Sequence, residues 1–575
     1  MGARAARGPK IDPFTDTPKS ENQVMQHGSL ADEVKRRRTF AIISHPDAGK
    51  TTLTEKLLLF SGAIQIAGSV KARKATRHAT SDWMEIEKQR GISVASSVMQ
   101  MLYREHVINL LDTPGHKDFS EDTYRVLTAV DSALMVIDAA NGVEAQTRRL
   151  IEVCRQRNTP IITFVNKMDR EVRDPLDILD EVERELGMPC VPMTWPVGQG
   201  KTFGGIMDLK ANSMKVFESG SERRPQDFET MPLDHPEALL ARFGQEYTTA
   251  LEAMELARGA SPSFDREAFL AGLQTPVFFG SGVNNFGVME VLDALVDLAP
   301  APKTRTSSLN GKGEHVLTAI EPDQANFSGV VFKVQANMDP SHRDRIAFVR
   351  VASGRYAPGM KLKVQRTAKE LRPTSVVTFL SQRREAVEEA YAGDIIGFTT
   401  HGGVQLGDTI TDGMTAQFTG LPFFAPELFM TVVLKNPLRT KQLQTGLAQL
   451  GEEGAIQVFR PEMGGLMLLG AIGQLQFEVV QHRLKAEYDC DVRMESCPYT
   501  GARWITAKTP QELKEFVAAY PARMASDAAN ALAYLCTSPY DVRLAQERFP
   551  QISFTRCVST RVWHCKARNK LSHQV

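Results

Sequence analysis

Residues 44–52 read Ser44-His45-Pro46-Asp47-Ala48-Gly49-Lys50-Thr51-Thr52, a set of groups suited to holding phosphate. In such a loop the backbone N–H groups and the N-terminus of the following helix face a β-phosphate. Lys50 would balance the β- and γ-phosphate charge, and the Thr51 hydroxyl would ligate Mg²⁺. Ser44 stands where the Gly-x-x-x-x-Gly-Lys-Ser/Thr pattern has its first glycine, so the loop alone also fits an ordinary strand–helix turn. A second segment adds chemistry to the first. The apolar run 107–111 leads into Asp112-Thr113-Pro114-Gly115-His116. Asp112, closing a strand, could hold Mg²⁺ through water, and the Gly115 N–H could reach a γ-phosphate and let the next loop sense it. As a lone residue, Asp112 fits equally well as a helix N-cap for the segment starting near Asp118.

A third segment points to the base. The apolar run 161–165 ends in Asn166-Lys167-Met168-Asp169. Guanine offers N1–H and an N2 amine side by side, and one carboxylate accepts both. Adenine would leave Asp169 facing unmatched atoms, a polar mismatch that sites discriminate strongly. The tetrapeptide alone is common. Three such segments in this order, each closing an expected strand, together point to GTP and GDP with Mg²⁺. Gly280-Ser281-Gly282-Val283 after the run 277–279 is a softer match. It is either a plain turn or a place where Ser281 and the Gly282 N–H meet the base edge. Between the first two segments, residues 81–94 end in a hydroxyl, Ser93, suited to closing over Mg²⁺ while a γ-phosphate remains. An exposed charged loop suits the basic stretch Lys71 to Arg90 just as well.

The elements that must carry these loops follow from periodicity. Apolar runs at 39–43, 107–111, 133–137, 161–165 and 277–279 alternate with helical patterns such as 144–157 and 175–186, which predicts a mostly parallel α/β sheet. This P-loop domain is expected over 36–300, with an inserted subdomain at about 195–272. Ala299-Pro300-Ala301-Pro302 marks a boundary. Short glycine-punctuated β runs then predict a β-barrel over 313–415, and an α+β, ferredoxin-like domain is expected over 421–553. Residues 1–35 read as a mobile polar leader. Residues 554–575 read as a solvated tail, or else as an RNA-touching arm, because Arg556, Arg561, Lys566, Arg568 and Lys570 face no acidic residue there. No internal repeat is legible.

Composition bounds the class. The 575 residues are 42% hydrophobic, with 68 basic against 68 acidic side chains. That excludes a largely disordered, collagen-like or disulfide-dense chain and removes overall basicity as a hint of a nucleic-acid partner. The 7 cysteines lack C-x-x-C pairs and fit a reducing compartment. No apolar run approaches the roughly 18–20 residues of a membrane span. Ala6 defeats the myristoylation pattern after Met1-Gly2. A cytoplasmic monomer without membrane contact is expected.

At this point the chain resembles the bacterial translational GTPases of the elongation factor G and Tu superfamily, most closely the peptide-chain release factors called release factor three. The resemblance runs from about 31 to 553. It rests on the nonapeptide at 44–52, S-D-W-M-E-I-E-K-Q-R-G-I-S-V at 81–94, D-T-P-G-H-K-D-F-S-E-D-T-Y-R at 112–125, N-K-M-D at 166–169 and G-A-I-G-Q-L-Q-F-E-V at 470–479. Ser44 and Ser93 resemble that family, whereas elongation factor G usually has Ala and Thr there. The resemblance implies GTP contacts from residues 44–52, 112–116 and 166–169, direct Mg²⁺ ligation by Thr51 and Ser93, and a water-positioning role for His116. It also implies partners: the ribosome, whose RNA orders the histidine, and codon-reading release factors, which the GTP-bound protein ejects after peptide release. No arginine finger is legible, which fits slow intrinsic hydrolysis completed by the ribosome. The alternatives are a translocase or ribosome-protection GTPase of the elongation factor G type, disfavoured by length, and a regulatory GTP-binding module.

Overall fold

Strand β1 (Arg37–Ser44) is buried at every residue, as a central strand covered on both faces must be. The computed structural model containing it describes residues 28–64, 87, 93–217, 228–309, 315–336, 345–373, 375–380, 383–400, 403–421 and 423–556. Around β1 the first sheet runs β2-β3-β1-β4-β5-β11-β6. These strands are β2 (Ser97–Tyr103), β3 (His106–Asp112), β4 (Ser132–Asp138), β5 (Ile161–Asn166), β6 (Cys190–Pro192) and β11 (Thr275–Phe279). All pairs are parallel except β2 with β3. The parallel α/β expectation holds, with β2 an antiparallel strand absent from the sequence reading. Between β6 and β11 lies a separate antiparallel sheet of β7 (Thr194–Val197), β8 (Gly205–Asp208), β9 (Ser213–Val216) and β10 (Thr230–Pro232), followed by helices Pro236–Phe243 and Gln245–Ala260. Phe203, Phe217 and Phe228 of this insertion meet Phe286 edge-on, with ring centroids 5.1–5.7 Å apart. The insertion thus braces the turn that follows β11.

Beyond the Pro-rich linker, antiparallel strands including Ser328–Ala336, Arg345–Ser353 and Ile395–Thr400 enclose Val331, Val349, Ile396 and Phe398 in a β-barrel. One barrel strand, Val376–Leu380, pairs with β2 at Leu380 and Met99, making the two sheets continuous. A buried ion pair joins the same two parts: Arg350 of the barrel bonds Asp131, the Thr39 hydroxyl and the Gly393 carbonyl. Arg305 lies 3.6 Å from Asp131, and burial pushes its guanidinium down to about 10. Asp131→Ala should therefore cost about 3–5 kcal/mol, because it strands two buried guanidinium groups. A melting temperature unchanged from the parent would reject this.

The α+β expectation holds for the C-terminal part, with two units where the sequence reads one domain. Strands Leu428–Leu434, Gln457–Pro461, Leu468–Ala471 and Val492–Ser496 with helices Thr440–Glu453 and Gln474–Tyr488 form one β-α-β-β-α-β unit. Strands Gly501–Thr506, Met524–Ser526, Leu532–Cys536 and Ser553–Thr555 with helices Pro510–Ala519 and Pro539–Arg548 form a second. The two join edge to edge where Arg460 and Pro461 pair with Ser526 and Ala525. A structural repeat is present that no sequence periodicity reveals, because backbone pairing and a few buried apolar positions suffice to specify each copy.

Both expected termini are also shorter than they read. Helix Leu30–Lys35 lies inside the supposed leader, capped by Ser29 and Asp32 and anchored by buried Val34 and by Glu33, which pairs with Arg37. At the other end, Ser553–Thr555 belongs to a sheet, and the Arg556 carbonyl accepts the Ala425 N–H. Residues 1–27 and 557–575, and most of the 81–94 segment, lie outside the described residues.

Candidate functional site

The carboxyl ends of β3, β1, β4, β5 and β11 follow one another along one edge of the sheet, and all but β4 run into one of the loops singled out above. That edge is where open α/β sheets take ligands. After β1 the chain turns through Asp47, at φ 65°, and Gly49, at φ 97°, into helix Lys50–Phe60. A side chain at Gly49 would be strained by its left-handed φ, and its Cβ would lie 2.3 Å from Asn166 Nδ2. Asn166 needs that space. Its Nδ2 donates to the Ala48 carbonyl at 2.8 Å, and its Oδ1 accepts the Gly282 N–H at 2.9 Å. Lys167 Nζ donates to the Asp47 carbonyl at 2.5 Å and pairs with Asp138 at 2.7 Å. Asn166 thus laces the loop after β1 to the loop after β11, and Lys167 laces it to the end of β4. The sequence reading does not single out Asp138, although it closes β4 as Asp112 closes β3.

Lys50 and Asp112 form a buried ion pair. The other carboxylate oxygen, Oδ2 of Asp112, is buried with no hydrogen-bond partner. This is not helix-cap geometry; the cap of the short turn Lys117–Phe119 is His116, whose Nδ1 accepts the Asp118 N–H at 3.3 Å. Thr113 is turned inward onto the Ile42 carbonyl at 2.7 Å. At Gly115 a Cβ would stand 3.3 Å from Pro46 N, so the loops after β1 and β3 approach backbone to backbone. His45 pairs with Glu144 at 2.6 Å, a partner that no local motif signals.

Between the loops after β5 and β11, Ser281 Oγ donates to Asp169 Oδ1 at 2.6 Å and accepts from Asn284 Nδ2 at 2.9 Å. Backbone bonds in both directions between Ser281 and Phe286 hold this turn on the aromatic cluster of the insertion. Met168 is fully buried, so its side chain is core and only its backbone lies at the site, where its N–H meets the Gly280 carbonyl. Thr51 and Thr52 open helix Lys50–Phe60, and Pro114 lends its carbonyl to Thr123. Ser93 precedes Val94 and Ala95, whose N–H groups both bond Glu87 Oε1 at 2.8 and 3.1 Å. Glu87, fully buried, is a further residue that sequence reasoning does not find. His116 is one-third exposed, 6.2 Å ring to ring from Phe119.

Comparison with known proteins agrees with this fold. The family model for the elongation factor Tu GTP binding domain matches residues 35–301, that for elongation factor G domain 2 matches 326–413, and that for the class II release factor RF3 C-terminal domain matches 418–546. The peptide chain release factor 3 of Bordetella pertussis is 66% identical over 528 residues, covering 92% of this chain and 97% of that protein. That of Nitrosomonas europaea is 64% identical over 524 residues, covering 91% and 96%. Among solved structures, ttk003000868 from Thermus thermophilus aligns with a TM-score of 0.65 at 26% identity, over 83% of this chain and 71% of that one. A guanine-nucleotide domain of the elongation factor Tu type, a barrel and a release-factor C-terminal region follow one another in a single chain. This chain belongs to the peptide chain release factor 3 family.

Proposed function

We propose that this chain is a GTP-hydrolysing termination factor that acts on the ribosome after peptide release and drives codon-reading release factors from it. The observation that carries the reading is the pairing of Lys50 with Asp112 beside the pairing of Asp169 with Ser281, on one sheet edge of a release factor 3 family member. One pair suits a charged phosphate tail and the other a guanine edge. We assign residues 36–300 to GTP binding, 313–415 to the barrel and 421–553 to ribosome contact.

In this reading the backbone of residues 44–50 holds the β-phosphate, and Lys50 leaves Asp112 to meet the β/γ oxygens once nucleotide arrives. The orphaned, buried Asp112 Oδ2 fits a hydrated divalent ion, with Thr51 and Ser93 as the direct ligands. Mg²⁺ there would neutralise charge developing on the transferred phosphoryl group. His116 orients the attacking water once the ribosome orders its loop, so hydrolysis waits for that partner. Asp112→Asn should raise the Mg²⁺ concentration needed for GTP binding about tenfold, as loss of an outer-shell carboxylate does. A titration of nucleotide binding against Mg²⁺ checks this, and an unshifted midpoint rejects the assignment.

The protein is read as a monomer working in the cytoplasm. Among the described residues no helix is long and apolar enough to cross a membrane. The deciding experiment measures GTP turnover with and without ribosomes, together with departure of a labelled codon-reading factor from terminated complexes. Stimulated turnover with departure supports the reading. Stimulation accompanied by transfer RNA movement would point to a translocase, and no stimulation to a regulatory module.

A further inference from the structure

The turn that carries His116 does not end in the GTP-binding domain. Two residues on, Asp118 is buried against the C-terminal part, where its Oδ2 accepts the Leu475 N–H at 2.8 Å. Leu475 is the second residue of helix Gln474–Tyr488, so this N–H is one that a helix cannot satisfy from within. The residue before that helix is Gly473, which has no side chain to cap it. A Cβ placed there would fall 2.0 Å from Asp118 Cγ, on the space the carboxylate occupies. Asp118 therefore supplies, from a different domain and 357 positions away in sequence, the cap that Gly473 leaves open.

The same aspartate meets His116. Its N–H donates to His116 Nδ1, and its Oδ1 lies 3.5 Å from that nitrogen. Apolar packing runs parallel to this polar path. Phe119 is buried with Val94 and Val479, and Ala95 and Leu475 pack against them. One face of helix Gln474–Tyr488 thus touches the turn carrying His116 and the segment that follows Ser93.

We propose that Asp118 is a positioning residue for GTP hydrolysis, which fixes the His116 imidazole by capping helix Gln474–Tyr488 across the domain boundary. When the C-terminal part is docked, the cap holds Asp118, and Asp118 holds the Nδ1 side of the ring. Displacement of that helix releases the turn. The proposal rests on the reading of His116 given above.

The test uses the full-length protein and ribosomes, measuring GTP affinity, the ribosome-stimulated kcat and the KM for ribosomes. Asp118→Ala and Gly473→Ala, one from each domain, should each lower stimulated kcat about 100-fold, the scale of a misplaced catalytic group, with GTP affinity held. Asp118→Asn should keep stimulated kcat within about threefold, since an amide oxygen also caps a helix. It also serves as the folded control. The double variant Asp118→Ala with Gly473→Ala should be no worse than Asp118→Ala alone, because both break one contact. Parent-like kcat in either single variant overturns the proposal. So does a multiplicative loss in the double variant, or a change confined to the KM for ribosomes. His116→Ala in the same assay separates the two readings. If it loses turnover while the contact variants keep it, only the positioning proposal falls. If it keeps turnover while they lose it, the histidine reading falls and takes the positioning role with it.

Discussion

Asp169→Asn should exchange guanine for xanthine, lowering affinity for GDP about 10⁴-fold and raising that for xanthosine diphosphate correspondingly. The size follows from the geometry. Ser281 Oγ donates to Asp169 Oδ1 at 2.6 Å, so the carboxylate is held in one orientation rather than free to rotate. Asn284 and the Phe286 turn hold Ser281 in turn. An asparagine in that frame keeps its oxygen on Ser281 and aims its amide at the base. It then donates where guanine's amine also donates, an unpaired clash of like groups, whereas xanthine's 2-oxo group accepts. Equilibrium binding of labelled guanosine and xanthosine diphosphates reads both arms. Tight guanosine diphosphate binding without a gain for xanthosine diphosphate sinks the assignment of Asp169 to the base.

His116→Ala should leave GTP binding within about twofold of the parent while lowering ribosome-stimulated hydrolysis about 10³-fold, the range of a lost positioning or proton-accepting side chain. The nucleotide contacts proposed for residues 44–51, 112 and 169 do not pass through the imidazole. The ring also has a structural role, because its Nδ1 caps the turn Lys117–Phe119. His116→Asn separates the two roles, because asparagine is among the best helix-capping side chains but cannot reach as far or carry a proton as imidazole does. Both variants should lose stimulated phosphate release, with the turn preserved in the asparagine form. Stimulated phosphate release at the parent rate in the alanine variant removes His116 from the chemistry.

The parts of the site that are legible in the sequence are those in which chemistry and chain order coincide. Asp112 closes a strand, and Lys50 and Asp169 follow one within a few residues, so an apolar run ending in a polar group announces them. Glu144 on His45, Glu87 under Ala95 and Asp118 on Leu475 are not legible. Each is an ordinary acidic residue locally and acquires its role only from a partner brought near by folding. The same limit explains the C-terminal region. A helix-and-strand texture there is plain, but two β-α-β-β-α-β units sharing one edge are specified by pairing between strands, and the two copies leave no sequence period to read. The leader and tail shorten for a related reason: single anchors, such as Val34 or the Arg556 carbonyl, are enough to order a few polar residues that composition alone assigns to solvent.

From the sequence by itself came the kind of nucleotide, the loops proposed to hold it and the order of the domains, since these depend on short stretches whose backbone geometry their own residues dictate. The tertiary structure alone decided how those loops are held together. Asn166 fills the space left by Gly49, Ser281 orients Asp169, and Asp118 caps a helix of another domain. Such contacts join residues more than a hundred positions apart, and no local spacing records which of many polar side chains will find its partner once water has been excluded between them.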